Sequence, residues 1–299
     1  MTPASRQGHL AMLLFSVLVA GSFALGVRAA NDIHPLALNA LRFWIAAAII
    51  GTIVMLRGGI PHAALNAPWR YVVLAVFFTT YFVLMFEGLK TAPSVSAAAI
   101  FTLTPLLTAG FGWLLLGQGV TPRMTVALTI GALGALWVIF RADLQAVLKF
   151  DVGRGELIYF VGCISHAVYT PLVRKLNRGE SAFVFTLGTL VAGAVILTAV
   201  GWSALVATDW AALPAIVWVT VFYTAIFASA ATFTLLQFST LRLPASKVMA
   251  YTYLTPFWVI LWNGVLGAAF PAGAIVVGVI LTIVALVLLL RDDGNQTAP

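Results

Sequence analysis

Arg42 lies about two turns into an apolar run that opens at Pro35, where a permanent charge is costly and implies a partner or a water-filled cavity. Two readings are open. The guanidinium binds a ligand carboxylate, or it snorkels outward or pairs with backbone carbonyls or a lipid head group. His166 is midway along another apolar run, where it suits either a proton relay near neutral pH or an interhelical hydrogen bond. Lys247 stands just inside a third run and faces a cavity mouth or, more simply, snorkels. Glu87 and Lys90, three residues apart, read as an interfacial ion pair. No carboxylate falls clearly at the middle of a run, and an acid or histidine at depth is what proton coupling usually requires. Movement down a gradient therefore fits this chain.

Polar and aromatic side chains gather in a few of the runs: Thr79, Thr80 and Tyr81; Tyr223 and Thr224; Tyr251, Tyr253 and Trp258. At helical spacing Tyr251, Thr255 and Trp258 share one face, while Tyr253 points elsewhere. Rings with hydrogen-bonding tips suit a ligand with an apolar ring and a small zwitterionic head. The candidate ligand-binding residues are thus Arg42, Tyr81, His166, Tyr223, Tyr251, Thr255 and Trp258; Trp69 and Trp210 read instead as a headgroup-level belt. Catalytic signatures are missing: there is no His-Glu-x-x-His, no Gly-x-Ser-x-Gly, and no Walker or dinucleotide fingerprint. With so few acids and histidines, an intramembrane enzyme has little to work with, and no metal or cofactor is expected. Cys163, the only cysteine, reads as packing.

The elements that must hold these residues are membrane helices. Hydrophobic residues make up 62% of the 299 and charged ones 8%, with mean hydropathy +1.05, far from the balance of a soluble domain. Charge, Pro, Gly and Asn divide the chain into runs that each suit a bilayer of about 30 Å. The first five are His9–Arg28, Pro35–Leu56, Trp69–Leu89, Pro93–Leu116 and Pro122–Phe140. The second five are Gly155–Val173, Ala182–Trp202, Leu213–Phe238, Pro244–Leu266 and Ala272–Leu290. The first run is too long for a signal-peptide core and is expected to be retained. Lys and Arg accumulate on the side that holds Arg57, Arg70, Arg174, Lys175 and Arg178, which puts both termini in the cytoplasm; Arg141, Lys149 and Arg154 run against this locally. The net charge of +7 is scattered over run ends, which argues against nucleic acid. The expected partners are a small-molecule substrate and membrane lipids. The Asn295-Gln296-Thr297 sequon falls on the expected cytoplasmic tail and reads as chance.

The halves, residues 1–150 and 151–299, are related. Pro93 … Leu103-Thr104-Pro105 in the fourth run is answered by Pro244 … Leu254-Thr255-Pro256 in the ninth at the same spacing, and Gly8-His9-Leu10 is echoed by Gly155-Glu156-Leu157. Five crossings per half is odd, so the second half sits inverted, an arrangement suited to alternating access around a midplane site. Pro105 and Pro256 should kink their helices, because each lacks an N–H for the carbonyl four residues back, of Phe101 and of Thr252. Such bends are where paired gates would flex; Pro is also simply tolerated in membrane helices. Ser16, Ala20 and Ala24 form a small-residue seam, and Gly131 and Gly134 suggest a tight contact, within the chain or between subunits.

Ten short-looped spans, the five-plus-five repeat, Leu-Thr-Pro in spans four and nine, and the stretch Pro93-Ser94-Val95-Ser96-Ala97-Ala98 resemble the drug/metabolite transporter superfamily, and within it the EamA-type ten-helix exporters. The aromatic content is similar to that of the YddG-type aromatic amino acid exporters. The resemblance implies an all-α membrane fold with helices one to four and six to nine around a central cavity and helices five and ten at the side. It implies export across a bacterial inner membrane of small amphipathic metabolites, above all aromatic and other apolar amino acids. Multidrug or nucleoside export by the same fold is the alternative, and a channel or enzyme the alternative of another class.

Overall fold

Hydrocarbon offers no hydrogen bonds, so a chain this apolar must close its backbone bonds within each crossing, and helices do so. A computed structural model describes residues 3–149 and 152–291, among which no strand occurs; the Asn295-Gln296-Thr297 sequon lies outside them. The crossings are α1 (Pro3–Ala29), α2 (Pro35–Leu56), α3 (Trp69–Gly88), α4 (Ser94–Leu116), α5 (Pro122–Ile139), α6 (Arg154–Leu176), α7 (Ala182–Val200), α8 (Ala215–Thr240), α9 (Ala245–Val265) and α10 (Gly273–Leu290). Nine of these are long and apolar enough to span a bilayer as single helices. The exception is α9, which crosses as Ala245–Ala250, a 3₁₀ turn at Tyr251–Leu254, and Thr255–Val265. Local chemistry sets the starts: Pro stands in the first turn of α2 and α5, Thr121 Oγ1 accepts from Met124 N–H at 3.1 Å, and Ser181 caps α7. At the other end of α4, Gly117 stops the helix in the left-handed region at φ 64°.

The sequence-based spans agree closely with these helices. The largest departure is α1, which begins at Pro3 rather than His9; α6 also continues past Val173 to Leu176 with Pro171 retained inside it. Both Thr-Pro sites do interrupt their helices: α4 breaks between Phe101 and Thr104, and α9 at its 3₁₀ turn, so Pro105 and Pro256 each sit in the first turn of a new segment. In each case the break lies within about 12 Å of the helix's start. The first segment of α4 packs on the last segment of α9, and the last of α4 on the first of α9, so the two broken helices run antiparallel and cross at their breaks. The other contacts repeat that inversion: α6 packs on α3 and α4, as α1 packs on α8 and α9. Helices α2 and α7 pair with each other, as do α5 and α10. The result is two inverted five-helix repeats, with α10 presenting Val277, Ile280 and Val284 outward.

The glycines expected to serve a tight contact serve one inside the chain. Gly131 accommodates the Tyr253 ring, and Gly134 lies against Gly278 of α10 so closely that a Cβ on either would stand 2.7 Å from the other's carbonyl oxygen. Ser16, Ala20 and Ala24 are buried, as the small-residue seam predicts. Glu87 and Lys90 form their ion pair at 2.7 Å.

Arg70, counted above as a topology signal, does more. Only 1% exposed, it donates to Glu180 Oε1 at 2.5 Å, to Leu176 O at 2.7 Å and to Ala67 O at 3.2 Å, tying the start of α3 to the α6–α7 turn. Burial alone would raise the Glu180 carboxyl, but the hydrogen bonds from Arg70 and from the Arg178 N–H hold it below its ordinary 4.5.

Two stability experiments follow in detergent. Glu180→Gln leaves the buried Arg70 without its counter-charge and should cost about 3 kcal/mol in chemical denaturation. Because the folded carboxyl is the stronger acid, its stabilisation should be complete above the unfolded value of 4.5 and lost as pH falls through the lower folded value. Gly134→Ala should lower Tm by forcing α5 from α10, at about 1–3 kcal/mol, whereas Gly110→Ala, with open space around it, should not.

Candidate functional site

Arg42 is wholly buried, and every group it touches is neutral. Its guanidinium donates from Nε and Nη2 to Ser229 Oγ at 3.0 and 2.8 Å, from Nη2 to Ala228 O at 3.0 Å, and from Nη1 to Asn39 Oδ1 at 3.3 Å. The ring of Phe82 lies beneath it, 4.0 Å from the guanidinium carbon. Among the described residues no carboxylate forms an ion pair with it. Within the second sequence reading, the carbonyl pairing is present and the outward snorkel is not.

The carbonyl comes from a local change in α8. Residues Ile226–Ala231 form a π-helical turn, and the Thr232 N–H bonds to Phe227 O and Ser229 O, passing over Ala228. A regular helix would have used the Ala228 carbonyl itself; the wider turn leaves it for Arg42. Asn39, one turn before Arg42, is held by its own amide to Pro35 O at 2.8 Å and Phe82 O at 3.4 Å, which aims its Oδ1 at the guanidinium.

From Phe82 a continuous set of rings leads to His166. Phe82 stacks on Phe233 with centroids 5.5 Å apart, and these two stand at the same sequence separation as Pro105 and Pro256, so the equivalent ring of each half meets at the centre. Phe233 meets Phe78 at 4.1 Å, and Phe78 stacks on Tyr169 at 4.1 Å and 4°. Tyr81 lies edge-on to His166 at 4.5 Å and shares a hydrogen bond with Tyr159 at 3.1 Å. His166 is enclosed by the rings of Phe78, Tyr81 and Phe101, and its Nδ1 has no hydrogen-bond partner, so the expected interhelical bond from that atom is not made.

The expected residues thus divide. Arg42, Tyr81 and His166 belong to this cluster, built from α2, α3, α4, α6 and α8. On the shared face of α9, Tyr251 OH meets His9 Nδ1 at 3.2 Å and Trp258 Nε1 donates to Ser16 Oγ at 3.2 Å, both on α1. Thr255 between them is buried with its hydroxyl unpartnered. Tyr253 does point elsewhere, toward α5 and α10. Tyr223 stands apart: its OH donates to Leu18 O at 2.9 Å and its ring packs on Trp262, in the α1–α8 contact. At the breaks, the Phe101 carbonyl freed by Pro105 accepts from the Thr104 hydroxyl, and the Thr252 carbonyl freed by Pro256 accepts from the Thr255 N–H. The ends of the crossed helices are also tied: Asn263 Nδ2 donates to Ser94 Oγ at 2.9 Å on one face, and Ala245 N–H to Gln118 Oε1 at 3.4 Å on the other.

Sequence reasoning passed over Phe78, Phe82, Phe233, Tyr169, Ser229 and Gln237. The matched separation of Phe82 and Phe233 was available as a signal, and so was Gln237, an amide inside an apolar run.

Comparison with known proteins agrees with this fold. The profile of the EamA-like transporter family matches twice, over residues 6–140 and 153–291. The chain is similar to a Bacillus subtilis (strain 168) protein named Uncharacterized transporter YyaM, 28% identical over 83% of this chain and 82% of that one. A second protein of that organism, Uncharacterized transporter YcbK, is 35% identical over 51% of this chain and 49% of its own length. A crystal structure superposes with a TM-score of 0.71 over 95% of both chains at 23% identity, which establishes likeness of fold.

A double-mutant cycle tests the charge's wiring. Ser229→Ala should cost about 1.5–3 kcal/mol, because it strips a buried cation of the acceptor it uses twice. In an Arg42→Met background the same change should cost well under 1 kcal/mol. Equal costs in both backgrounds would mean that the two side chains are not coupled.

Proposed function

The chain belongs to the EamA-like transporter family, and we propose that within it this protein is a secondary exporter of aromatic and other apolar amino acids. Arg42 carries the reading. A full positive charge surrounded only by neutral acceptors and aromatic faces can gain more from an anion than from the dipoles it now holds, and a carboxylate matches its fork with two parallel bonds. The side chain of such a cargo enters among Phe82, Phe233 and Phe78, exchanging ring contacts of the protein for its own.

Alternating access supplies the movement. The crossed α4 and α9 break beside their Thr-Pro pairs, and a polar contact ties each end of their crossing. Releasing one end while keeping the other would open the cluster to one side at a time. Among the described residues no carboxylate pairs with Arg42 to exchange a proton, and net flow along the cargo's own gradient fits that arrangement. The bacterial inner membrane, with both termini cytoplasmic, suits the distribution of Lys and Arg.

The test is uptake of radiolabelled phenylalanine and tryptophan into proteoliposomes, against empty vesicles, with and without a pH gradient. Uptake should saturate and ignore the pH gradient. Arg42→Gln should reduce it by roughly 10- to 100-fold, from the loss of a charge-assisted carboxylate contact, while Arg42→Lys keeps part of it. Movement of a nucleoside or cationic drug, with neither amino acid above background, would overturn the substrate and leave the transporter.

A further inference from the structure

We propose that His166 and Gln237 form a second polar subsite, distinct from Arg42, that selects cargo whose aromatic ring carries a hydroxyl or an N–H. This rests on the aromatic amino acid reading above and narrows it. Both side chains are buried, at 2% and 0% exposure, and each holds an unpartnered polar atom, Nδ1 of His166 and Oε1 of Gln237. Leaving such a group unsatisfied costs about 1–3 kcal/mol, so it calls for an occupant. The two come from different helices, α6 and α8, yet both border Tyr169: Gln237 Nε2 donates to the Tyr169 hydroxyl at 3.2 Å, and the His166 ring lies 6.0 Å from the Tyr169 ring.

The spacing suits one molecule. Ser229, which holds Arg42, and Gln237 are both on α8, two turns and a little more apart, roughly 12 Å along the helix. A tyrosine measured from carboxylate to hydroxyl, with a hydrogen bond of about 2.8 Å added at each end, covers roughly 13 Å. Between the two ends run the stacked rings of Phe82, Phe233, Phe78 and Tyr169, the environment that a cargo ring would enter. A phenolic hydroxyl both donates and accepts, and so satisfies the imidazole nitrogen in either tautomer; an indole N–H donates to an accepting nitrogen or to the Gln237 oxygen. Phenylalanine offers neither and would leave both atoms bare. A site that hydrogen-bonds its ligand discriminates strongly against an analogue without the group. A buried water is the competing occupant, and it predicts no such discrimination.

The experiment is competition in counterflow with the full-length protein in liposomes, using labelled tryptophan and unlabelled tyrosine, tryptophan or phenylalanine. In the unaltered protein, half-inhibition should need at least ten-fold less tyrosine or tryptophan than phenylalanine. His166→Phe, which keeps a ring in the cage, and Gln237→Leu should each bring that ratio toward one by weakening tyrosine and tryptophan, with phenylalanine changed by less than about three-fold. His166→Asn, which keeps a hydrogen-bonding group, should retain part of the preference. Equal competition by phenylalanine in the unaltered protein, or a proportional loss of all three ligands in the variants, would overturn the subsite while leaving the Arg42-dependent carrier in place. If none of the three competes, the amino acid reading falls, and the subsite with it.

Discussion

A charge or a carbonyl inside hydrocarbon must find its partner within the protein, and the centre of this molecule is organised around meeting that demand. Arg42 needs several acceptors at once. Its own helix supplies one through Asn39, and the remainder come from α8, whose π turn presents Ala228 O and Ser229 Oγ together. The irregularity of α8 and the charge on α2 therefore explain each other: a regular helix would have no carbonyl to give, and without the guanidinium the wide turn would leave one unsatisfied.

The same demand explains why only certain breaks are tolerated. Pro105 and Pro256 each remove a donor from a buried backbone, and the lost bonds are replaced locally, by the Thr104 hydroxyl in one case and by a tighter 3₁₀ turn in the other. These repairs make short, self-contained joints. A joint of this kind would let one segment swing against the next without exposing further backbone to lipid.

Much of this was legible in the sequence because bilayer thickness imposes a length on every crossing. The ten runs, the Thr-Pro breaks and the matched halves follow from hydropathy and proline spacing alone. The shared face of Tyr251, Thr255 and Trp258 followed from helical periodicity, and α1 does lie against it. Other features had no local signature. Ile226 to Ala231 reads as ordinary apolar helix, so nothing announced a π turn. Ser229 is 187 residues from Arg42 in sequence, and such a partnership is decided by packing between the halves. Phenylalanines in a membrane helix pass as lipid-facing filler, which hid Phe82 and Phe233. Tyr223 was grouped with the site by type, but its phenol is engaged by the Leu18 carbonyl on α1.

The two crossed helices are alike in plan and unlike in detail. In α4 the Thr104 hydroxyl is engaged, while in α9 its counterpart Thr255 is not; Asn263 meets Ser94 at one end of the crossing, whereas at the other end Ala245 lies opposite Gly112 and its N–H donates to Gln118. A carrier made of two identical inverted halves would be energetically degenerate, with its empty form divided evenly between the two sides of the membrane. Once the halves diverge at their joints, that degeneracy is lifted. In a carrier of that kind the direction the unloaded form faces would be set by a handful of side chains at the joints, and it could drift over evolution without any change at the cargo site.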